Sequence, residues 1–175
     1  MLFRSEEDHE FASKGDVLIA MRHLDTIAIV DVDEEKVKWM WGMGELEGPH
    51  HPTILENKNI LVLDNGIYRE YSRIIEVNPV TEEIEWEYTT QPPTKFYTPG
   101  RGTVQKMPNG NYFICNADSA QLFEINKNKE IIWEYTKPKN SMGKRIIIQR
   151  AIKITPQELE KMDIPEYAKQ AAKNI

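Results

Sequence analysis

Three tryptophans constrain this chain more than any other feature: Trp39, Trp86 and Trp133 recur at intervals of 47 residues. Each closes a similar short run, Val37-Lys38-Trp39, Ile84-Glu85-Trp86 and Ile131-Ile132-Trp133. A second marker lies upstream of each, a turn with Gly or Asn that opens an apolar run. The three are Gly15-Asp16-Val17-Leu18-Ile19, Lys58-Asn59-Ile60-Leu61-Val62 and Gly110-Asn111-Tyr112-Phe113-Ile114. Between the markers come another apolar run (26–30, 73–77 and 120–125) and a polar turn. Alternation such as Ile84-Glu85-Trp86-Glu87-Tyr88 sends successive side chains to opposite faces, the pattern of a half-buried strand. Short strands in units of this length predict propeller blades of about four strands each. The expected fold class is all-β, a partial β-propeller of about three to four blades with a short C-terminal helical tail. A β-sandwich that repeats by chance is the alternative, opposed by two equal spacings with matching flanks. A β-solenoid is opposed by the length of the unit.

On this reading residues 1–154 form the partial propeller and 155–175 the tail. The run from Lys144 to Ile154 is expected to add a strand or two. Thr155-Pro156-Gln157-Glu158 then has the form of a helix start, with Thr155 as N-cap, Pro156 in the first turn and Glu158 as capping-box partner. That helix should reach about Met162, and a second should run from Pro165 through Glu166 to Lys173. Three units are fewer than the roughly four to eight blades of a closed ring. The chain therefore reads as a fragment, as one member of a pair, or as an open stack. Open sheet edges invite association, so a homo-oligomer, or a partner chain supplying the missing blades, is expected.

The composition, 40% hydrophobic and 29% charged, is that of an ordinary globular chain. A net charge of −6 argues against nucleic acid as a partner. No apolar run reaches the ~18 residues of a membrane span. The first residues, Met1-Leu2-Phe3-Arg4-Ser5-Glu6-Glu7-Asp8, lack the apolar core of a signal peptide, which predicts a cytoplasmic location for a complete chain. The single cysteine, Cys115, lies in an apolar run and reads as a small core residue. No Cys/His spacing matches a zinc site, and Gly42-Met43-Gly44 matches neither a P-loop nor a dinucleotide fingerprint. No cofactor is expected.

The chemistry-bearing candidates cluster in a few loops. His50 and His51 stand side by side in Gly48-Pro49-His50-His51-Pro52-Thr53, and neighbours on a strand face opposite ways. A neutral imidazole is a competent nucleophile and acid/base near pH 7; an inert surface pair is the plainer alternative. Arg22 and His23 follow the first apolar strand. Arg22 can hold a sulfate or phosphate through a forked, charge-assisted contact, or pair with Asp25. Arg101 lies in Tyr97-Thr98-Pro99-Gly100-Arg101-Gly102-Thr103. Counting back eight residues from the strand-opening positions makes Asp8, His51 and Thr103 equivalent. Equivalent positions meet around a propeller's channel, so His51, Arg22 and Arg101 are expected to share one funnel. Asp64-Asn65-Gly66 reads as a turn opening an insertion, Ile67-Tyr68-Arg69-Glu70-Tyr71.

Several of these stretches together resemble the arylsulfotransferase family. They are Arg22-His23-Leu24-Asp25-Thr26, Trp39-Met40-Trp41-Gly42, His50-His51-Pro52-Thr53-Ile54-Leu55 with Leu63-Asp64-Asn65-Gly66, Tyr71-Ser72-Arg73, and Phe96-Tyr97-Thr98-Pro99-Gly100-Arg101-Gly102 with Pro108-Asn109-Gly110-Asn111. The likeness runs from about Asp8 to Tyr135 and is similar to the C-terminal half of that propeller. It implies transfer of a sulfuryl group from a phenolic sulfate ester to another phenol through a transient sulfohistidine, with no nucleotide sulfate donor. It places His51 at the nucleophile and Arg22 on the sulfate oxygens. His50 is implied for proton handling, Arg101 for oxyanion contact, and His23 beside Arg22 for substrate binding. The family's members are often exported. Two departures stand out: a further upstream histidine is missing where this chain reads Arg4-Ser5 with Glu6-Glu7-Asp8-His9 beyond, and the N-terminal blades are absent. The alternative to an enzyme is therefore a non-catalytic propeller remnant, or one half of a split enzyme acting as an interaction module.

Overall fold

A computed structural model describes residues 2–5, 7–144, 146–166 and 169–170, with backbone alone for 2–4. Twelve strands form three four-stranded antiparallel sheets. The first holds β1 (Leu2–Arg4), β2 (Val17–Met21), β3 (Thr26–Asp31) and β4 (Lys36–Trp41). The second holds β5 (His50–Ile54), β6 (Ile60–Asp64), β7 (Arg73–Val77) and β8 (Ile84–Tyr88). The third holds β9 (Thr103–Lys106), β10 (Tyr112–Asn116), β11 (Gln121–Ile125) and β12 (Ile131–Thr136). In each, neighbours in sequence are neighbours in the sheet, the up-and-down order of a propeller blade.

The middle sheet shows why the blades stack. In Ile60-Leu61-Val62-Leu63 every residue is buried. Period-2 alternation divides the run between two cores. Ile60 and Val62 join Leu18, Ile27 and Ile29 of the first sheet. Leu61 and Leu63 join Val104, Ile114 and Phe123 of the third. A strand packed on both faces has no polar side, so it reads as an unbroken apolar run. Full burial of each such aliphatic side chain stabilises the stack by about 1.5–3 kcal/mol. Aromatic rings close the junction between the second and third sheets, with Trp86 stacked on Tyr112 at 4.3 Å and Phe96 edge-on to Phe123 at 5.6 Å.

The three tryptophans all fall on the fourth strand of a sheet, opposite Ile29, Glu76 and Glu124. A register shift lies directly beyond that pair in every sheet, and a bulge of this kind adds local twist. The innermost strands correct one expectation. Arg4 pairs with Val17, as Ile54 pairs with Ile60 and Lys106 with Tyr112. The connection after β1 is longer than its two counterparts, so Asp8 lies in that loop and is not the equivalent of His51; the register also makes Thr103 the counterpart of His50 rather than of His51.

The tail divides as well. Thr155 Oγ1 accepts from the Glu158 amide, the Glu158 side chain accepts from the Thr155 amide, and α1 (Pro156–Lys161) follows, with Leu159 buried. Of the second expected helix, Pro165 is not helical, Glu166 and 169–170 are, and 167–168 and 171–173 lie outside the described residues. The stretch 146–154 forms no strand. It is held against the third sheet chiefly through side chains: Thr103 Oγ1 donates to the Ala151 carbonyl at 2.6 Å, and Gln105 exchanges bonds of 3.0 and 2.9 Å with the Lys153 backbone. Arg145, in the same expected strand, lies outside the described residues. So does Glu6, next to the Arg4-Ser5 position of the missing upstream histidine.

Candidate functional site

The loops 22–25, 42–49, 65–72, 89–102 and 117–120 all leave the sheets at one end, and every expected site residue belongs to that end. His9 lies in the long loop between β1 and β2 at the other end, stacked on Phe11 at 5.2 Å.

β5 starts irregularly. His50 pairs with Leu63 and Thr53 with Leu61, so His51 and Pro52 together oppose Val62 alone. Proline cannot donate to the ladder, which confines it to edges and bulges. The extra residue is His51, at φ +56, a left-handed conformation uncommon outside glycine and enriched for histidine. The bulge breaks strict alternation, so the two imidazoles enter the same end of the blade in different environments.

His50 is half-buried. Its Nδ1 lies 3.0 Å from the Gly48 carbonyl and 2.8 Å from Asn65 Oδ1. Both partners are acceptors, because Asn65 Nδ2 donates to the carbonyls of Thr98 and Arg101, the latter at 2.9 Å. In the neutral ring the proton therefore sits on Nδ1, and Nε2 carries the lone pair. Asn65 is fully buried and is in turn fixed by Ser72, whose Oγ donates to the Asn65 carbonyl at 2.8 Å.

His51 is 7% exposed, and its buried Nδ1 has no partner among the described residues. Burial pushes its pKa down to about 4, the charge of Arg150 adds to the fall, and hydrogen bonding to the Val104 backbone opposes it. The ring is neutral at pH 7.

Arg22 opens a 3-10 turn (Arg22–Leu24) after β2 and donates from Nη2 to the Pro99 carbonyl at 3.2 Å. Asp25 does not pair with it; its Oδ1 accepts from the Gly48 amide at 2.7 Å. That bond ties the turn of the first blade to the entrance of β5. The loop 98–101 thus gathers the site: Pro99 holds Arg22, while Thr98 and Arg101 hold Asn65 and through it His50. The Arg101 guanidinium is 3.4 Å from Asp118. His23 is exposed on its turn and none of these contacts includes it.

Beneath the loops lies a charge cluster that the sequence reading passed over. Asp64 is fully buried, 2.7 Å from Arg69 and 2.8 Å from Arg73. It also accepts from the Glu47 amide at 2.8 Å. Burial pushes its carboxyl up, and both guanidiniums and that amide pull it back. Arg73 reaches on to Glu45 and Glu87. The cluster clamps the loops on either side of β5 and β6, and so fixes the backbone that carries His50 and Asn65. Asn65 was legible only as part of a turn: Asp64-Asn65-Gly66 does turn, with Gly66 at φ +68, but a buried amide reaching two other loops leaves no local signal.

Cys115 is fully buried, and burial pushes its thiol up to about 11. It is no nucleophile at neutral pH. Among the described residues, no group of three or more His, Cys, Asp or Glu is placed to hold a metal ion. No described helix is long and apolar enough to cross a membrane.

Two solved structures share the architecture. A protein of unknown function from Bacteroides caccae superposes with a TM-score of 0.53 at 19% identity, covering 71% of this chain and 43% of that one. Virginiamycin B lyase from Staphylococcus aureus does so with a TM-score of 0.53 at 16% identity, covering 81% and 42%. At these identities the likeness is one of fold, and this chain spans less than half the length of either. No curated protein sequence gives a significant match. The model of the arylsulfotransferase (ASST) family matches residues 8–138, well over half of the sequence, and the chain belongs to that family.

Proposed function

We propose that this chain carries the sulfuryl-transfer centre of an aryl-sulfate sulfotransferase, with His50 as the residue that takes the group. The observation that carries this reading is the hydrogen bonding of His50 Nδ1 to Gly48 and Asn65, which puts the proton of the neutral ring on Nδ1 and its lone pair on Nε2. Nε2 attacks the sulfur of a phenolic sulfate ester, the N–S bond forms, the S–O bond to the ring breaks, and the phenolate leaves. The imidazole becomes positively charged as it accepts the group, and its Nδ1–H remains on two carbonyl-type acceptors that stabilise that charge. A second phenol then attacks the sulfur, its proton passing to the phenolate released in the first step, and the N–S bond breaks to return the neutral imidazole.

Arg22 supports the first step as the holder of the sulfuryl oxygens. Its one hydrogen bond to the described residues uses a single N–H, and the fork suits a tetrahedral oxyanion. The resemblance puts the nucleophile at His51. What favours His50 is that its tautomer is set, whereas His51 is buried with an unpartnered Nδ1. His51, buried and neutral, serves better as a packed neighbour that positions the start of β5.

A second reading, a section of propeller that works only once further blades are added, is favoured by one observation. The outer strand β12 leaves Ile131, Ile132, Trp133 and Tyr135 exposed. Further blades, from a second copy or another chain, would cover such a face and complete the pocket for the phenol rings.

The test is nitrophenol release from 4-nitrophenyl sulfate with phenol as acceptor, for the chain and for His50→Asn and His51→Asn. Loss in His50→Asn with residual transfer in His51→Asn is expected. Loss confined to His51→Asn returns the nucleophile to that position. Full transfer by both variants overturns the proposal.

A further inference from the structure

The stretch 146–154 contains no acidic residue and two cations, Arg150 and Lys153. Lys153 is paired with the buried Glu124. Arg150 is exposed and has no hydrogen bond or ion pair to another described residue.

Its position is nevertheless fixed from both sides. The Ile148 amide donates to the Ala117 carbonyl at 3.2 Å, and Cys115 Sγ donates to the Ile148 carbonyl at 3.4 Å. One residue beyond Arg150, Ala151 is held by Thr103 Oγ1. Ala151 and Lys153 are bonded to Thr103 and Gln105 in that order, so the segment runs parallel to β9. Thr103 stands opposite Cys115 as His50 stands opposite Leu63. Arg150 therefore lies at the depth of the two histidines. Its charge is the second largest influence holding the His51 ring neutral. His51 in turn is more than nine-tenths buried and has an unpartnered Nδ1.

We propose that Arg150 is a further sulfuryl-binding residue, presented by the strapped segment 146–154 so that its guanidinium takes oxygens of a sulfate-class oxyanion at the level of the two histidines. The inference rests on the sulfuryl-transfer reading for its substrate, though not for its binding chemistry. A guanidinium with no partner among the described residues, its backbone held at the level of the histidines, is satisfied by one tetrahedral anion. A cationic ligand is excluded by Arg150 itself. The arrangement also gives the segment a task at the site: it covers the third blade and delivers a charge that none of the three sheets supplies there.

The experiment titrates inorganic sulfate into the full chain while following the imidazole resonances by NMR, with His51 assigned through His51→Asn. A saturable shift of the His51 ring is expected. Arg150→Gln should weaken it by at least about tenfold, and Arg150→Lys should restore part of the affinity. Because Arg150 is exposed and unpaired, the thermal midpoint should be unchanged in both variants, which separates binding from folding. No sulfate shift at His51 in the parent chain, or equal affinity in Arg150→Gln, overturns the proposal. Turnover is read separately. Sulfate binding without nitrophenol release sinks the transfer reading and leaves this one standing; release with unaltered sulfate affinity in Arg150→Gln does the reverse.

Discussion

Replacing His51 by asparagine should change how the stability of this chain depends on pH, and the sign follows from burial. The ring sits at 7% exposure, and its pKa falls from 6.5 to about 4. In the unfolded chain it titrates near 6.5. Between those values the unfolded state binds a proton that the folded state refuses. Stability therefore rises with pH through this window. The contribution is complete above about 6.5 and is lost as pH falls towards 4. At one pKa unit per 1.36 kcal/mol, the full loss is about 3 kcal/mol, with a slope of about 1.4 kcal/mol per pH unit in the middle of the window. Many carboxylates titrate across the same range, so the quantity to measure is a difference. Urea unfolding of the parent and of His51→Asn, at half-unit steps from pH 4 to 7.5, isolates it. Asparagine keeps the left-handed backbone at φ +56 with little strain. The parent should lose stability relative to the variant as pH falls. Parallel curves, or a parent that gains on acidification, would refute a buried neutral imidazole at this position.

Other consequences concern separate parts of the site. Asn65→Ala removes one acceptor from His50 Nδ1 and a bond each to Thr98 and Arg101; steady-state kinetics should show kcat down by roughly 10–100-fold, with KM changed far less. Asp64→Asn removes the fully buried carboxylate between the half-buried Arg69 and Arg73, which keep Glu47, Glu45 and Glu87 as partners, and urea unfolding should show a loss of about 1–3 kcal/mol. Gly102→Ala puts a Cβ 2.7 Å from the Cys115 carbonyl and 2.8 Å from Leu63 at φ +117, so its thermal midpoint should fall clearly, whereas Gly15→Ala, with nothing within 4 Å, should cost only its backbone strain. Cys115 should stay unmodified by a thiol reagent at pH 7.5 until the chain unfolds; rapid native labelling would contradict its burial.

The strands were legible where a single physical cause governs the pattern. Ile60-Leu61-Val62-Leu63 is apolar throughout because two cores claim it; Ile84-Glu85-Trp86 alternates in sequence, but the register shift there sends Ile84 to one core and Trp86 to the other. The helix start at Thr155 was legible because a capping box is local. Counting back from strand openings failed at Asp8, since the length of the loop after β1 is set by packing and not by register. The expected strand is absent from the described stretch 146–154 for a related reason: apolar residues suffice to suggest a strand, but a strand also needs a backbone partner, and Thr103 and Gln105 offer side chains. The candidate site was readable as a set of loops. Arg22, His50, His51 and Arg101 come to one end of the stack, while Asn65, which joins them, and Arg150, brought from the tail, owe their places to contacts distant in sequence. The distinction between the histidines comes from a bulge at His51 and Pro52 that alternation does not foresee.

The most direct test of the account is to locate the sulfuryl group itself. The chain is exposed to 4-nitrophenyl sulfate without acceptor, digested under alkaline conditions that preserve an N–S bond, and the peptide spanning 48–54 is analysed by mass spectrometry. The account predicts one added SO3 group, on His50, removed when phenol is supplied. An SO3 group on His51, or nitrophenol release with no modified histidine, would contradict it.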